Sequence, residues 1–283
     1  MIEVATVASL RDEVRALRAR RARVAFVPTM GNLHEGHLSL VAEARRRADA
    51  VVASLYVNPL QFGPNEDYAT YPRTPDADRA ALAGAGADLL FMPGDDVMYP
   101  RGPEIMTKVE VPVVSEILCG WFRPGHFRGV ATVVNRLLNL VHPDIALFGK
   151  KDYQQLLVIR LMVADLGLPI EIAGVDTVRE ADGLAMSSRN RYLTAGERAA
   201  APRLYAALTA LRDRVASGAA TAPAEAEAIE ALAAAGFRVE YVSVRRQRDL
   251  APPERGDTAL VALAAAWLGR TRLIDNIEFS RAV

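Results

Sequence analysis

Residues 50–57 read AVVASLYV, an almost uninterrupted apolar run. A run this short suits a strand buried on both sides, and such strands belong to parallel sheets covered by helices above and below. The neighbouring sequence supplies the rest of the unit. Residues 24–27, VAFV, are a second apolar run, and 38–47 between the two has helix-forming composition. Strand, helix and strand in succession make a βαβ unit, whose crossover pairs the two strands in parallel. The alternation continues with a helix over 75–85, a strand over 88–92, a buried helix over 130–141, a strand over 145–148, a helix over 152–166 and a strand over 170–175. A first amphipathic helix over 7–21 carries Leu10, Val14 and Leu17 at helical spacing, with arginines on its solvated face. The expected fold class is α/β, a doubly wound parallel sheet.

Beyond residue 176 the order changes. A polar loop over 177–190 leads to one long alanine-rich helix over 195–216, a Gly/Ala/Thr/Pro linker, a helix over 223–235 and strands over 238–244, 258–264 and 271–279. Strands and helices segregate here, as in a smaller α+β domain, so the expected domains are 1–176 and 177–283. Residues 93–114 are rich in Gly and Pro and irregular, apart from a short β-like piece at 107–111. The 283 residues, 51% of them hydrophobic, suffice for a substantial core. The 34 basic and 34 acidic side chains cancel, which argues against bulk electrostatic binding of nucleic acid or membrane; any anionic ligand must be met by a local cluster. No apolar run approaches the length of a bilayer span, and the N-terminus lacks the basic and apolar stretches of a signal peptide. The expected location is therefore cytoplasmic. The single cysteine, Cys119, excludes an intrachain disulfide and reads as a small buried apolar residue.

The chemistry concentrates in residues 28–37, PTMGNLHEGH. They follow a strand, where parallel α/β sheets bind ligands. Gly31 and Gly36 let the backbone approach a ligand, and free amides opening the next helix favour a phosphate. His34 and His37 lie three apart, so a helix beginning near His34 puts both on one face, within reach of that phosphate. The zincin helix needs histidines four apart, so no metal ligand is assigned here; two surface histidines at a helix start is the plainer alternative. Asn58 and Gln61 stand just past the next strand, in a long loop facing the same crevice, where Gln61 serves either the turn or a substrate. Residues 149–152, GKKD, repeat the arrangement. Asp152 is well placed as an N-cap. Lys151, a cation that opposes the helix dipole, makes more sense facing a phosphate. Gln155 lies one turn further on the same side. Met186 to Arg189 bring two hydroxyls and a guanidinium together, a cluster able to wrap a polyphosphate. Thr194 and Glu197 form a capping box, so this loop also reads as the cap of the following helix.

Five blocks, PTMGNLHEGH at 28–37, NPLQFGPNED with YPRT within 58–74, RPGHFRG at 123–129, FGKKDYQQ at 148–155 and DGLAMSSRNRYL at 182–193, resemble the pantoate–β-alanine ligase family. HxGH alone is shared by many nucleotidyl transferases and class I aminoacyl-tRNA synthetases; all five blocks in this order are specific, and they span nearly the whole chain. The resemblance implies a Rossmann-like N-terminal domain of the HxGH nucleotidyltransferase superfamily, a smaller C-terminal domain acting as a lid, and a homodimer. It implies ATP-dependent condensation of pantoate with β-alanine through a pantoyl adenylate, with AMP and pyrophosphate released, towards coenzyme A. Position by position, it implies ATP contacts from Met30, Gly31, Asn32, Leu33, His34, Glu35, Gly36, His37, Gly149, Lys150, Lys151, Asp152, Val178, Met186, Ser187, Ser188 and Arg189. His37 matches the family's acid, with His34 and Lys151 as further catalytic residues. Gln61 and Gln155 match its pantoate-binding glutamines, Gln61 also facing β-alanine. Mg2+ is expected to ride on the phosphates, with no side-chain ligand assigned; Asp76 and Asp78 are the acidic groups nearest in sequence and are not chosen. Lys150 stands where many members carry glutamate, which adds charge near the phosphate site. The rival readings are another HxGH nucleotidylyltransferase, acting on a phosphorylated cofactor precursor, and a nucleotide sensor or scaffold with a degenerate site. Gln61 and Gln155 speak against the first, and the intact His34, His37, Lys151 and Arg189 against the second.

Overall fold

The structure is a computed structural model that describes residues 1–64 and 66–281. It forms two units, one of Met1–Lys150 with Val158–Asp176, the other of Lys151–Leu157 with the chain from Thr177 onward. The first contains β1 (Ile2–Val4), α1 (Val7–Ala19), β2 (Val24–Thr29), α2 (Glu35–Arg47), β3 (Ala50–Leu55), α3 (Pro75–Gly84), β4 (Leu89–Phe91), α4 (Asp95–Met98), α5 (Cys119–Phe122), α6 (His126–Val141) and β5 (Ile145–Gly149). The helix α7 (Tyr153–Asp165), whose first turn belongs to the second unit, then leads to β6 (Glu171–Val175).

The six strands form one parallel sheet in the order β1-β4-β3-β2-β5-β6. From β2 the chain builds outward to β3 and β4, then returns to place β5 on the other side of β2. The strand order therefore reverses between β2 and β5, the crevice where open α/β sheets bind ligands. All six residues of β3 are buried, as the apolar run requires.

Three local expectations change. The strand β1 is not legible in sequence, because three residues beside a helix show no period; its pairing with β4 (Ile2 opposite Leu89) creates it. Residues 107–111 are irregular instead of β-like, with the Val109 N–H donating to Thr132 Oγ1 of α6 (2.9 Å) in place of a ladder bond. The buried helix α6 starts at His126, ahead of 130, after Gly125 turns the chain at φ 81°.

In the second unit the expected helix over 195–216 is broken. Pro202 separates α8 (Ala195–Ala200) from α9 (Arg203–Ala216), because proline lacks the N–H of the helical ladder and its ring crowds the preceding turn. After α10 (Thr221–Ala234), β7 (Arg238–Arg246), β8 (Ala259–Leu268) and β9 (Thr271–Ser280) make an antiparallel sheet in sequence order. Leu204, Leu208 and Leu211 of α9, Leu232 of α10 and Leu260 of β8 share its core.

Candidate active site

The turn after β2 is pinned by main-chain bonds before any functional side chain appears. Thr29 Oγ1 donates to the Ser54 carbonyl (2.8 Å) and accepts from the Gly31 N–H (3.4 Å). Gly31 (φ 83°) and Asn32 (φ 52°) are both left-handed, and a Cβ at Gly31 would lie 2.9 Å from Asp78 Oδ2. That carboxylate, 3% exposed, accepts from the amides of Asn32 (2.9 Å) and Leu33 (2.8 Å) and from the Thr74 hydroxyl (3.2 Å). Asp78 is thus the anchor of the signature turn. Asp78→Ala would strand two amides, each costing about 1–3 kcal/mol when buried and unpaired. We expect about 3 kcal/mol of lost stability, read by urea denaturation, and about a tenfold fall in turnover; a stability loss below about 1 kcal/mol would refute the anchor.

His34 is the N-cap of α2, with extended backbone (φ −137°, ψ 175°). Its Nδ1 accepts from the Gly36 N–H (3.1 Å), while His37 Nδ1 accepts from the His34 N–H (3.4 Å). The two rings lie 4.1 Å apart. The sequence suggests bare amides facing an anion; in the structure two of those amides are bonded to imidazole instead. An Nδ1 that accepts a main-chain N–H leaves the ring proton on Nε2, so each histidine relays the polarity of the helix opening to an Nε2–H donor. Gly36 lies in the first turn, whereas Glu35 is exposed.

Gln61 ends a 3-10 turn (Pro59–Gln61) beyond β3 and is 9% exposed. Its Nε2 donates to Met30 Sδ (2.9 Å), which joins Gln61 to the turn after β2. Its Oε1 accepts from Asn58 Nδ2 (3.2 Å). Its main-chain carbonyl accepts from His126 Nδ1 (2.8 Å) and from Arg123 (3.3 Å), and Arg123 forms a two-pronged pair with Glu66 (2.5 and 2.6 Å). Burial pushes the Glu66 carboxyl up, but the bonds from Arg123 outweigh it and hold the group below the usual carboxylate range. The RPGHFRG block thereby has a physical role, the clamping of Gln61. Gly129 completes it, since its α-carbon packs against the Leu60 carbonyl.

At the end of β5, Gly149 precedes a 3-10 turn (Lys150–Asp152) that delays α7 to Tyr153. Lys150 pairs with Asp176 (2.8 Å), so its extra charge is partly offset. Asp76 is exposed and paired with Arg79 (2.7 Å).

The other candidates belong to the second unit. The Lys151 carbonyl accepts from Asn276 Nδ2 (2.9 Å), and Asp152 and Gln155 are half-buried. Val178 and Met186 face each other across a hairpin, the Met186 N–H donating to the Val178 carbonyl (3.0 Å). Ser187 caps the 3-10 turn Ser188–Tyr192 by accepting from the Arg189 N–H (3.3 Å). Arg179 fastens the hairpin, gripping buried Asp275 with two bonds (2.6 and 2.9 Å) while stacking 3.7 Å over Tyr205. The sequence reading missed Asp78, Arg123, His126, Arg179, Asp275 and Asn276 as supports. The available signal is the acidic-amide pair Asp275–Asn276, set between Ile274 and Ile277 in the middle of a strand.

The model of the family Pantoate-beta-alanine ligase matches residues 3–278. Pantothenate synthetase of Shewanella amazonensis is 59% identical over 281 residues, covering 99% of this chain and 100% of that protein. A crystal structure of the Thermus thermophilus pantothenate synthetase superposes with a TM-score of 0.92 at 50% identity, over 98% of this chain and 99% of that one. The Francisella tularensis pantoate-beta-alanine ligase, complexed with beta-gamma ATP and beta-alanine, gives 0.82 at 32% identity, over 98% and 97%.

Proposed function

The chain belongs to the pantoate-beta-alanine ligase family and carries out ATP-dependent ligation of pantoate with β-alanine in pantothenate biosynthesis; we propose that it does so through a pantoyl adenylate formed at the signature turn. The observation that carries this reading is the imidazole pair opening α2, each Nδ1 filled by a main-chain N–H and each Nε2 a donor. In the first step a pantoate carboxylate oxygen bonds to the α-phosphorus of ATP and the bond to pyrophosphate breaks. Both reactants are anions, so the barrier is largely electrostatic, and fixed donors aimed at the phosphoryl oxygens lower it without reorganising. We assign that task to His37 and His34 with Lys151. In the second step the β-alanine amine bonds to the acyl carbon, loses a proton, and AMP leaves with the former carboxylate oxygen.

The remaining assignments belong to the same reading. Met30 to His37, Gly149 to Asp152, Val178 and Met186 to Arg189 contact ATP; Gln61 and Gln155 bind pantoate, and Gln61 also meets β-alanine. Residues 1–176 hold nucleotide and pantoate, and 177–283 act as the lid. Mg2+ enters on the nucleotide phosphates, because it dehydrates reluctantly and is commonly carried by substrate phosphates, and Asp78 is engaged by amides. No residue is assigned to the ion. A cytoplasmic homodimer completes the reading, and a purely monomeric species in sedimentation at micromolar concentration counts against the dimer. No helix among the described residues is long and apolar enough to cross a membrane.

The test is product release from ATP and magnesium. Pyrophosphate is expected with pantoate alone and AMP only once β-alanine is added. If neither product appears with both substrates present, the adenylate route fails and phosphorylated cofactor precursors become the substrates to try.

A further inference from the structure

Two main-chain groups outside the reaction determine which end of the Gln61 amide meets a ligand. Asn58, 1% exposed, accepts through Oδ1 from the Leu60 N–H (3.3 Å) and donates through Nδ2 to the Gly129 carbonyl (3.1 Å). A main-chain N–H only donates and a carbonyl only accepts, so the Asn58 amide has one permitted orientation. Two consequences follow from that orientation. The Tyr99 hydroxyl, 2.6 Å from Asn58 Oδ1, must be the donor, and Gln61, 3.2 Å from Asn58 Nδ2, must turn its Oε1 inward. Tyr99 is 3% exposed, and burial pushes its phenol far above the usual range, which keeps it a donor. The outward end of Gln61 is then Nε2; one of its N–H groups reaches Met30 Sδ (2.9 Å) and the second remains for a ligand.

We propose that Asn58, held by the Leu60 N–H and the Gly129 carbonyl and braced by the Tyr99 hydroxyl, is a positioning residue that fixes the polarity of the Gln61 amide, so that Gln61 presents a hydrogen-bond donor and selects an acceptor oxygen on the acid substrate. This rests on the reading of Gln61 as a pantoate-binding residue. It adds a direction to that reading: a carboxylate or ether-like oxygen suits this position, and an ammonium or amide N–H does not. Tyr99 contributes by saturating Asn58 Oδ1, whose remaining bond, from Leu60, is the longer one.

The experiment is steady-state kinetics on Gln61→Ala, Gln61→Glu and Tyr99→Phe, with KM measured separately for pantoate and ATP. Gln61→Ala raises the pantoate KM about tenfold if the residue binds pantoate. Gln61→Glu keeps the length and the Asn58 bond but replaces the outward donor with a charged acceptor, and is expected to raise the pantoate KM at least about fivefold beyond Gln61→Ala. Tyr99→Phe is expected to raise it about fivefold with the ATP KM within about twofold, a split that general loosening of the fold does not produce. A Gln61→Glu enzyme with a pantoate KM equal to or below that of Gln61→Ala overturns the polarity while leaving the binding role standing. Parent-like pantoate KM in Gln61→Ala overturns the binding role and the proposal with it. Parent-like KM in Tyr99→Phe alone removes Tyr99 from the device.

Discussion

Replacing His37 by alanine is expected to slow pyrophosphate release about a hundredfold or more with the fold intact, the usual consequence of removing one preorganised donor from a developing anionic centre. The loss has two parts. The Nε2–H vanishes, and the His34 N–H loses its acceptor, His37 Nδ1 at 3.4 Å. The second part is local, because His34 stays tied through its own Nδ1 to the Gly36 amide (3.1 Å). His37→Gln separates donor from acid. Its side-chain amide supplies a neutral N–H at similar reach, so if the histidine acts as the neutral Nε2–H tautomer, glutamine should recover at least about tenfold over alanine. Turnover of His37→Ala within about threefold of the parent, with circular dichroism unchanged, would remove His37 from the chemistry.

Gly129→Ala is expected to damage pantoate use more than ATP use. On helix propensity alone the change should stabilise α6 by about 1 kcal/mol. Sterics reverse the sign: the new Cβ would fall well inside contact distance of the Leu60 carbonyl oxygen and carbon, and 2.7 Å from the Gln61 nitrogen. All three are main-chain atoms, so no side chain can swing aside, and either α6 or the turn must move. Overpacking of this kind costs about 1–3 kcal/mol, and the displaced turn carries Gln61 and the Asn58–Gly129 bond. The expected result is a pantoate KM raised at least about tenfold, an ATP KM within about twofold, and about 1–2 kcal/mol of lost stability, net of the propensity gain. A pantoate KM within about twofold of the parent would show that the close approach does not position Gln61.

The supports of the candidate site lie far from it in sequence. Asp78 holds the amides of Asn32 and Leu33 across 46 and 45 residues, and His126 and Arg123 hold the Gln61 carbonyl across 65 and 62. No periodicity or spacing joins such pairs. Pro202 is a different case, since its helix-breaking effect is local and was open to reading; the surrounding alanines suggested one continuous helix, and the ring's missing N–H decided otherwise. The irregular course of 107–111 belongs with the distant pairs, because Val109 is bonded to Thr132 and to no strand.

By itself the sequence determined the parallel sheet, the turn after β2 and the smaller α+β unit. These rest on which residues are apolar, how they are spaced and where glycine stands, all properties of contiguous stretches. It also marked the chemical groups, since imidazoles, glutamine amides and a lysine at strand ends are visible as residue types. Only the tertiary structure decided how those groups are presented. The tautomers of His34 and His37, the inward Oε1 of Gln61 and the occupation of Asp78 each depend on which donor or acceptor folding brings within about 3 Å. Hydrogen bonding is short-ranged and directional, so the bonds within residues 34–37 need the folded geometry of the turn, and those that hold Asp78 and orient Gln61 through Asn58 need distant segments packed together.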